Sequence, residues 1–417
     1  MSSTPPSGIA KVLLSHPTGN SNTRAVAEAL HREQLLQSFQ TCLAVGNDSR
    51  DPFKNRLFAP RKVDVPDALI QTHPWREFIR LLSEKSGLFP GIRSHERGAC
   101  CVDRIYRHLD ASVARKIEMD FTDEISAVYA YEDGACATFS VAAQKQLHCF
   151  YDLPIGYWRA ARRIQRTEAE RHPEWRDTMP ALVDSEDKLL RKDEELKQAD
   201  TVIVASEFTA RTLSEAPFPV ARRYVVPYPC PPTIRDPDPS KAPGQKLKVI
   251  FVGSLSQRKG LADLIDACKI AKDEVDLTII GRRVANCRPL DAALKRHRWI
   301  ESFPHSQILR EMREHDVLIF PSLFEGFGLV VTEALSQGIP VIATDHTCAP
   351  DIIQEGREGF IVPIRAPQAI AEKLIYLNEN PDKLREMKKM SLARAKSLTS
   401  ERYAAQLLGC IRERLQA

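Results

Sequence analysis

The sequence predicts an α/β protein of two doubly wound, Rossmann-like domains facing each other across a cleft. Two strand starts carry the prediction. Lys11-Val-Leu-Leu-Ser15 is a short apolar run, followed by a polar turn with Gly19 and then by helical apolar spacing. Lys248-Val-Ile-Phe-Val252 repeats that order, with Gly253 directly behind it. Such a unit opens a doubly wound sheet, so two of them imply two domains. The third observation is a crowd of prolines between them, at Pro217, Pro227, Pro229, Pro231, Pro232, Pro237, Pro239 and Pro243. Proline lacks the N–H that helix and central sheet require, so this stretch reads as an interdomain connection and a hinge for the cleft. The chain divides into a first domain at 1–228, a linker at 229–245, a second domain at 246–396 and a C-terminal segment at 397–417.

The elements follow in order. Thr23 to Gln37 carries Val26, Leu30 and Leu35 at helical spacing. Residues 50–120 alternate arginine, proline and helical fragments without a clean period. Ala127-Val-Tyr-Ala130 is predicted as a strand, Tyr131-Glu-Asp-Gly134 as a turn leading to a helix through Gln146, and Leu147-His-Cys-Phe150 as the next strand. Arg159 to Arg176 is rich in arginine, with Trp158, Ile164 and Trp175 interleaved. It reads as a solvated helix partly neutralised by Glu168, Glu170 and Glu174; the alternative is a basic face on anionic lipid or on a phosphorylated acceptor. Ala199 to Ala210 runs from a strand into a capped helix. In the second domain Asp276 to Ile280, Ile339 to Ala343 and Gly359 to Val362 are predicted strands. Ser400 to Gln416 shows one apolar helical stripe at Tyr403, Leu407, Leu408, Ile411 and Leu415.

Composition bounds the function. With 59 basic and 55 acidic residues the net charge is +4, too balanced for nucleic acid as the main partner. No apolar run reaches the roughly 18–20 residues of a membrane span. Met1 to Gly8 has neither a basic start nor an apolar stretch, and reads as a loose tail. The 10 cysteines are scattered with no Cys-x-x-Cys pair, as expected of reduced, buried thiols in a cytoplasmic protein without a metal site.

The chemistry concentrates in Pro321-Ser-Leu-Phe-Glu-Gly-Phe-Gly-Leu-Val-Val-Thr-Glu-Ala-Leu-Ser-Gln-Gly338. Val317-Leu-Ile-Phe320 before it reads as a buried strand, Glu325-Gly-Phe-Gly328 as a glycine turn and Leu329 to Gln337 as a helix. Free N–H groups in a helix's first turn, with the helix dipole, make a seat for phosphate. Glu325 lies in the turn, and Glu333 about five residues into the helix, ~8 Å along it. Carboxylates beside an anion seat would repel phosphate, so they suit neutral sugar hydroxyls, from which they accept hydrogen bonds. The arrangement points to a nucleotide-diphosphate sugar.

Glu325 and Glu333, seven residues apart within Pro-Ser-x-x-Glu-Gly-Phe-Gly-Leu-x-x-x-Glu-Ala, resemble the signature of retaining glycosyltransferase family 4, of GT-B fold. The likeness is close over residues 245–400 and looser before them. It implies a retaining, metal-independent transfer of a sugar from a nucleotide-diphosphate sugar to an acceptor hydroxyl, with no cofactor. Glu325 would contact the transferring sugar, Glu333 the ribose, and Lys259 with the backbone of Gly326, Phe327, Gly328 and Leu329 the diphosphate. Glu325 and Lys259 are then the catalytic residues, as transition-state stabilisers. Gly19 and Gly253 would let backbone approach the donor. Ser254 stands where relatives carry an arginine, and Arg258 is the candidate to replace it. Trp299 to His305 fits the strand and loop that hold the base, Arg282 and Arg283 are within reach of phosphate, and Thr347-Cys-Ala-Pro350 stands where relatives have paired glycines. Tyr151-Asp152 replaces a histidine-containing pair at the end of its strand. Tyr131, Glu132, Asp133, Tyr151 and Asp152 are the candidates on the acceptor side, the acceptor being a saccharide, a lipid-linked sugar or a small molecule. The C-terminal helix would cross back onto the first domain, although an amphipathic dimer helix has the same pattern. The expected location is cytoplasmic, with peripheral contact at the inner face of the membrane as an extension.

Three rivals stay open at this level. A sugar phosphorylase or nucleotide-sugar epimerase would share the fold. A non-catalytic nucleotide-sugar-binding module would bind donor without hydrolysing it. A nicotinamide-dependent oxidoreductase lacks support, because neither opening strand is followed by Gly-x-Gly-x-x-Gly.

Overall fold

A computed structural model describes residues 10–120, 122, 124–236 and 245–416. The tail at Met1 to Gly8 and the linker prolines Pro237, Pro239 and Pro243 lie outside them. The first sheet is built from β1 (Lys11–Ser15), β2 (Leu36–Thr41), β3 (Ile70–Thr72), β4 (Ile125–Tyr131), β5 (His148–Leu153), β6 (Thr201–Val204) and β7 (Arg222–Val225). Its strands are parallel, in the order β3-β2-β1-β4-β5-β6-β7. The second sheet contains β8 (Leu247–Val252), β9 (Val275–Ile280), β10 (Arg298–Ile300), β11 (Val317–Phe320), β12 (Val341–Thr344) and β13 (Gly359–Val362), in the order β10-β9-β8-β11-β12-β13. It too is parallel.

Both orders reverse direction beside the opening strand, between β1 and β4 and between β8 and β11. Loops leaving the carboxyl ends of two such strands part there and leave a crevice, the usual ligand position in doubly wound sheets. The strands read as continuous apolar runs because helices cover both faces: all four residues of β11 and of β12 are buried.

The helix predicted from Thr23 to Gln37 spans Ser21–Arg32 instead. Gln34 adopts a positive φ of 58° and ends it, and Leu36–Thr41 pairs with β1 as a strand. The adjacent Leu35 and Leu36 satisfied either period, which is why the sequence pattern extended the helix too far. In the unreadable stretch 50–120 the structure has β3 and two longer helices, Trp75–Ser86 and Val102–Met119.

The C-terminal helix Ser400–Leu415 crosses back to the first domain and packs on the helix Ser21–Arg32. Tyr403, Leu407, Leu408 and Ile411 are buried in the same core as Val26, Ala27 and Leu30, which supplies the partner their stripe requires. All 10 cysteines are free.

Candidate active site

The site grows from two loops at the second sheet's switch point. The loop after β8 runs through Gly253 and a short turn, Gln257–Lys259, to Gly260, whose φ is +70°. A Cβ on Gly260 would stand 2.0 Å from the carbonyl oxygen of Pro321, so glycine there lets this loop lie against the loop after β11. That second loop ends at Gly328, φ +93°, which caps the helix Leu329–Ser336. The contact brings the cations of one loop to the carboxylate of the other. Glu325 Oε1 lies 2.5 Å from Lys259 Nζ and 2.9 Å from Arg258 Nη1, and Ser322 Oγ donates to it at 3.1 Å. Arg258 Nη1 also donates to the Phe324 carbonyl at 2.7 Å.

Electrostatics follows from the count of charges. Burial alone would push the Glu325 carboxyl up, but Lys259 and Arg258 outweigh it and hold the group below the usual carboxylate range. Burial, with repulsion from Arg258, brings the Lys259 ammonium below the usual lysine value despite Glu325. One carboxylate facing two cations leaves positive charge to spare at a helix start, in a place largely shielded from water.

These residues border a cavity of about 400 Å³ between the domains. Gly253, Arg258, Lys259 and Glu325 through Val330 line it from the second domain, facing Asn20, Asn22, Tyr131 and Ile155 of the first and Tyr228 beside the linker. The turn is fastened across the gap: the Gly326 carbonyl accepts hydrogen bonds from Ser206 Oγ at 2.5 Å and Thr209 Oγ1 at 2.9 Å.

Of the sequence candidates, Glu325, Lys259, Arg258, Gly253, Gly326, Phe327, Gly328, Leu329 and Tyr131 share this cavity. Glu333 stands further along its helix and lies 2.9 Å from His305 Nε2, at the start of the helix that follows the expected base loop. Ser254 is exposed and outside the lining, so Arg258 alone adds to the charge of Lys259 here. Gly19, φ +52°, donates its N–H to Nδ1 of buried His16 at 3.1 Å, and the next residue, Asn20, reaches the cavity. Burial pushes His16 down to about 3, so it stays neutral and supports the loop.

The acceptor candidates separate by strand face. Asp152 is buried under the cavity wall and accepts from Tyr129 Oη at 2.7 Å. Tyr151, one residue earlier, points to the opposite face and donates to Glu195 at 3.1 Å. Glu132 and Asp133 pair with Lys192 at 3.1 and 3.5 Å. Tyr151, Glu132 and Asp133 therefore lie outside this cavity. Sequence reasoning missed Asn20, Asn22, Ile155 and Tyr228. Only Asn20 left a signal, as the cap whose side chain accepts from the Thr23 N–H.

Residues 233–393 match the family model described as Glycosyl transferases group 1. The second half of the chain carries a glycosyl transferases group 1 domain. Over 154 residues the chain is 29% identical to the amylovoran biosynthesis glycosyltransferase AmsK of Erwinia amylovora, covering 32% of this chain and 37% of that relative. The chain thus matches little more than a third of the length of this relative. The fold extends further than the sequence likeness. Sucrose-phosphate synthase from Thermosynechococcus elongatus superposes with a TM-score of 0.65 at 15% identity, covering 97% of this chain and 98% of that one. Anabaena HepE in complex with UDP and glucose gives 0.61 at 16% identity, covering 97% and 100%. The group 1 domain and its partner domain together form a GT-B fold.

Proposed function

We propose that the protein is a retaining, metal-independent glycosyltransferase that moves a sugar from a nucleotide-diphosphate sugar to an acceptor hydroxyl. The observation that carries this reading is Glu325 held between Lys259 and Arg258 at a helix start inside the interdomain cleft. Negative charge grows on the diphosphate as the glycosidic bond breaks. Two cations already fixed beside it stabilise that charge without a metal ion. Glu325 holds the cations in place and offers its carboxylate to the transferring sugar, and the helix start at Gly328 and Leu329 receives the phosphates. Glu333 and His305 extend the site toward the ribose. Tyr131, buried in the cavity lining, is the first-domain group proposed to meet the acceptor. The domain match and the AmsK likeness support the sugar-transfer class, and the UDP in the HepE structure supports a nucleotide donor.

The test has two parts. Thermal-shift titration with UDP, GDP and ADP sugars identifies the donor, since a bound ligand stabilises by mass action. With that donor and an acceptor, retention appears as an α-linked product from an α-linked donor by NMR, at a rate unchanged by EDTA. Inversion, or loss of activity in chelator, rejects the mechanism.

The reading includes a cytoplasmic protein in peripheral contact with membrane, and the ten free thiols fit the compartment. No helix among the described residues is long and apolar enough to cross a membrane. The lipid-facing surface is not Arg159 to Arg176, where Ile164 and Trp175 are buried. It is the helix Trp75–Ser86, where Trp75, Ile79 and Leu82 are exposed along one face, followed by exposed Leu88 and Phe89.

A further inference from the structure

The helix Trp158–Arg171 belongs by connectivity to the first domain, yet one of its carboxylates is embedded in the second. Glu168 is fully buried. Its Oε1 accepts from Gln257 Nε2 at 2.7 Å, and its Oε2 from Arg365 Nε at 2.7 Å and Arg171 Nη1 at 3.2 Å. His172 Nε2 lies 3.7 Å from Oε1. Arg365, which follows β13, also donates to the Ile164 carbonyl at 3.1 Å. The segment behind the helix continues the attachment. Trp175 and Met179 are buried in the core of the second domain, and Thr178 Oγ1 accepts from the Gln257 N–H at 3.0 Å.

Gln257 is the receiving residue, and it is fully buried as well. Its Oε1 accepts from the Ala262 N–H at 2.8 Å, in the first turn of the helix Leu261–Ala271. It is thus gripped at three atoms, and the first domain holds two of them. The next two residues along the chain are Arg258 and Lys259. A buried carboxylate is tolerated only where charged donors and hydrogen bonds saturate it. Here two of the three donors, Gln257 and Arg365, come from separate loops of the other domain, so an undocked Glu168 keeps only Arg171 of its own helix.

We infer that Glu168 is a positioning residue for the diphosphate-binding cations: through Gln257 it fixes the turn that carries Arg258 and Lys259. The assignment of those cations rests on the transferase reading above, whereas the clamp itself does not. The orientation of a donor-site loop is set by a first-domain helix, so a displaced first domain would loosen the cations.

Amide hydrogen exchange on the full chain tests the clamp without substrate. Glu168→Gln places an amide against the Gln257 or Arg365 donors, and Gln257→Met removes the bridge while keeping its length. Each should speed exchange of peptides covering 256–262 by about tenfold or more, with β4 peptides unchanged. If either variant folds poorly, the other carries the test. Unchanged exchange at 256–262 overturns the clamp. The second arm is a kinetic cycle. Glu168→Gln should lower kcat by about tenfold in the wild-type background and by clearly less when Lys259→Ala is already present, where only Arg258 is left to position. Independent, multiplicative losses would mean that Glu168 is structural only and would reject its positioning role. A wild-type protein without transferase activity, combined with faster exchange in the variants, removes the reaction assignment and leaves the clamp standing.

Discussion

Lys259 sits between a carboxylate that attracts it and an arginine that repels it, at the edge of the cavity. If its positive charge acts on the departing diphosphate, Lys259→Ala should lower kcat by on the order of 10²-fold or more, with a smaller effect on donor affinity. Steady-state kinetics with the identified donor checks this, and near-wild-type turnover would reject the role. Asp152 permits a second prediction at this scale. Burial raises its carboxyl to about 7 from an ordinary 3.8, opposed by the hydrogen bond from Tyr129. The folded chain therefore keeps a proton on Asp152 between about pH 4 and pH 7 that the unfolded chain releases. Stability falls as pH rises through that window and levels off above it. Asp152→Asn keeps an acceptor for Tyr129 and cannot ionise. Its melting temperature relative to wild type should rise from pH 5 to pH 8, by the equivalent of roughly 2–4 kcal/mol. A difference independent of pH would show that Asp152 is not buried as a titrating acid.

At the scale of elements, the turn Glu325-Gly-Phe-Gly328 was the most legible part of the sequence and is also the most constrained. A Cβ on Gly326 would stand 1.7 Å from the Pro154 carbonyl oxygen of the first domain. Gly326→Ala should therefore cost on the order of 2–4 kcal/mol, because backbone must move on both sides of the cleft. Urea denaturation measures it, and a loss below 1 kcal/mol would mean that the two domains separate freely at this contact. The strands of the second sheet and the glycine turn could be read because their signals are local: apolar runs, a glycine pair, a cap. The partners of the turn could not. Gln257 meets Glu168 across 89 positions, and nothing in a helical arginine pattern marks one glutamate as buried. Tyr151 and Asp152 are both acceptor-side candidates in the sequence, although alternation along a strand sends neighbours to opposite faces. Within residues 50–120 the helix Trp75–Ser86 buries Glu77 and Ser83 and exposes Trp75, Ile79 and Leu82, so its apolar positions do not mark its buried side. That exposure yields its own prediction. The wild-type chain should sediment with anionic liposomes at low salt, and Trp75→Ser with Phe89→Ser should abolish this without changing donor binding. Equal sedimentation of both proteins would reject this face as the lipid contact.

At the scale of the molecule, the two domains share more than a linker. One continuous apolar cluster contains Val12, Leu14 and Tyr129 from the first sheet, Ile250, Leu318 and Val341 from the second, and Tyr403 to Ile411 of the returning helix. Tyr228, beside the linker, packs edge-on against Phe327 with ring centroids 5.2 Å apart. The helix Trp158–Arg171 adds a buried ion to the same seam, and Gly326 adds a backbone acceptor. A proline-rich hinge alone would let each domain unfold on its own, as is common for chains of this size. A shared core argues otherwise, because neither sheet can lose its packing without exposing apolar surface of the other. Heating should therefore produce one calorimetric transition, with the fluorescence of Trp75, Trp158, Trp175 and Trp299 and the far-ultraviolet signal falling together. Glu168→Ala should divide it, since removing one member of a buried ion cluster leaves Arg365 unpaired at the seam. Two transitions in the wild-type chain would show that the seam is too weak to couple the domains, and the clamp on the cation loop would then hold only while the domains are docked.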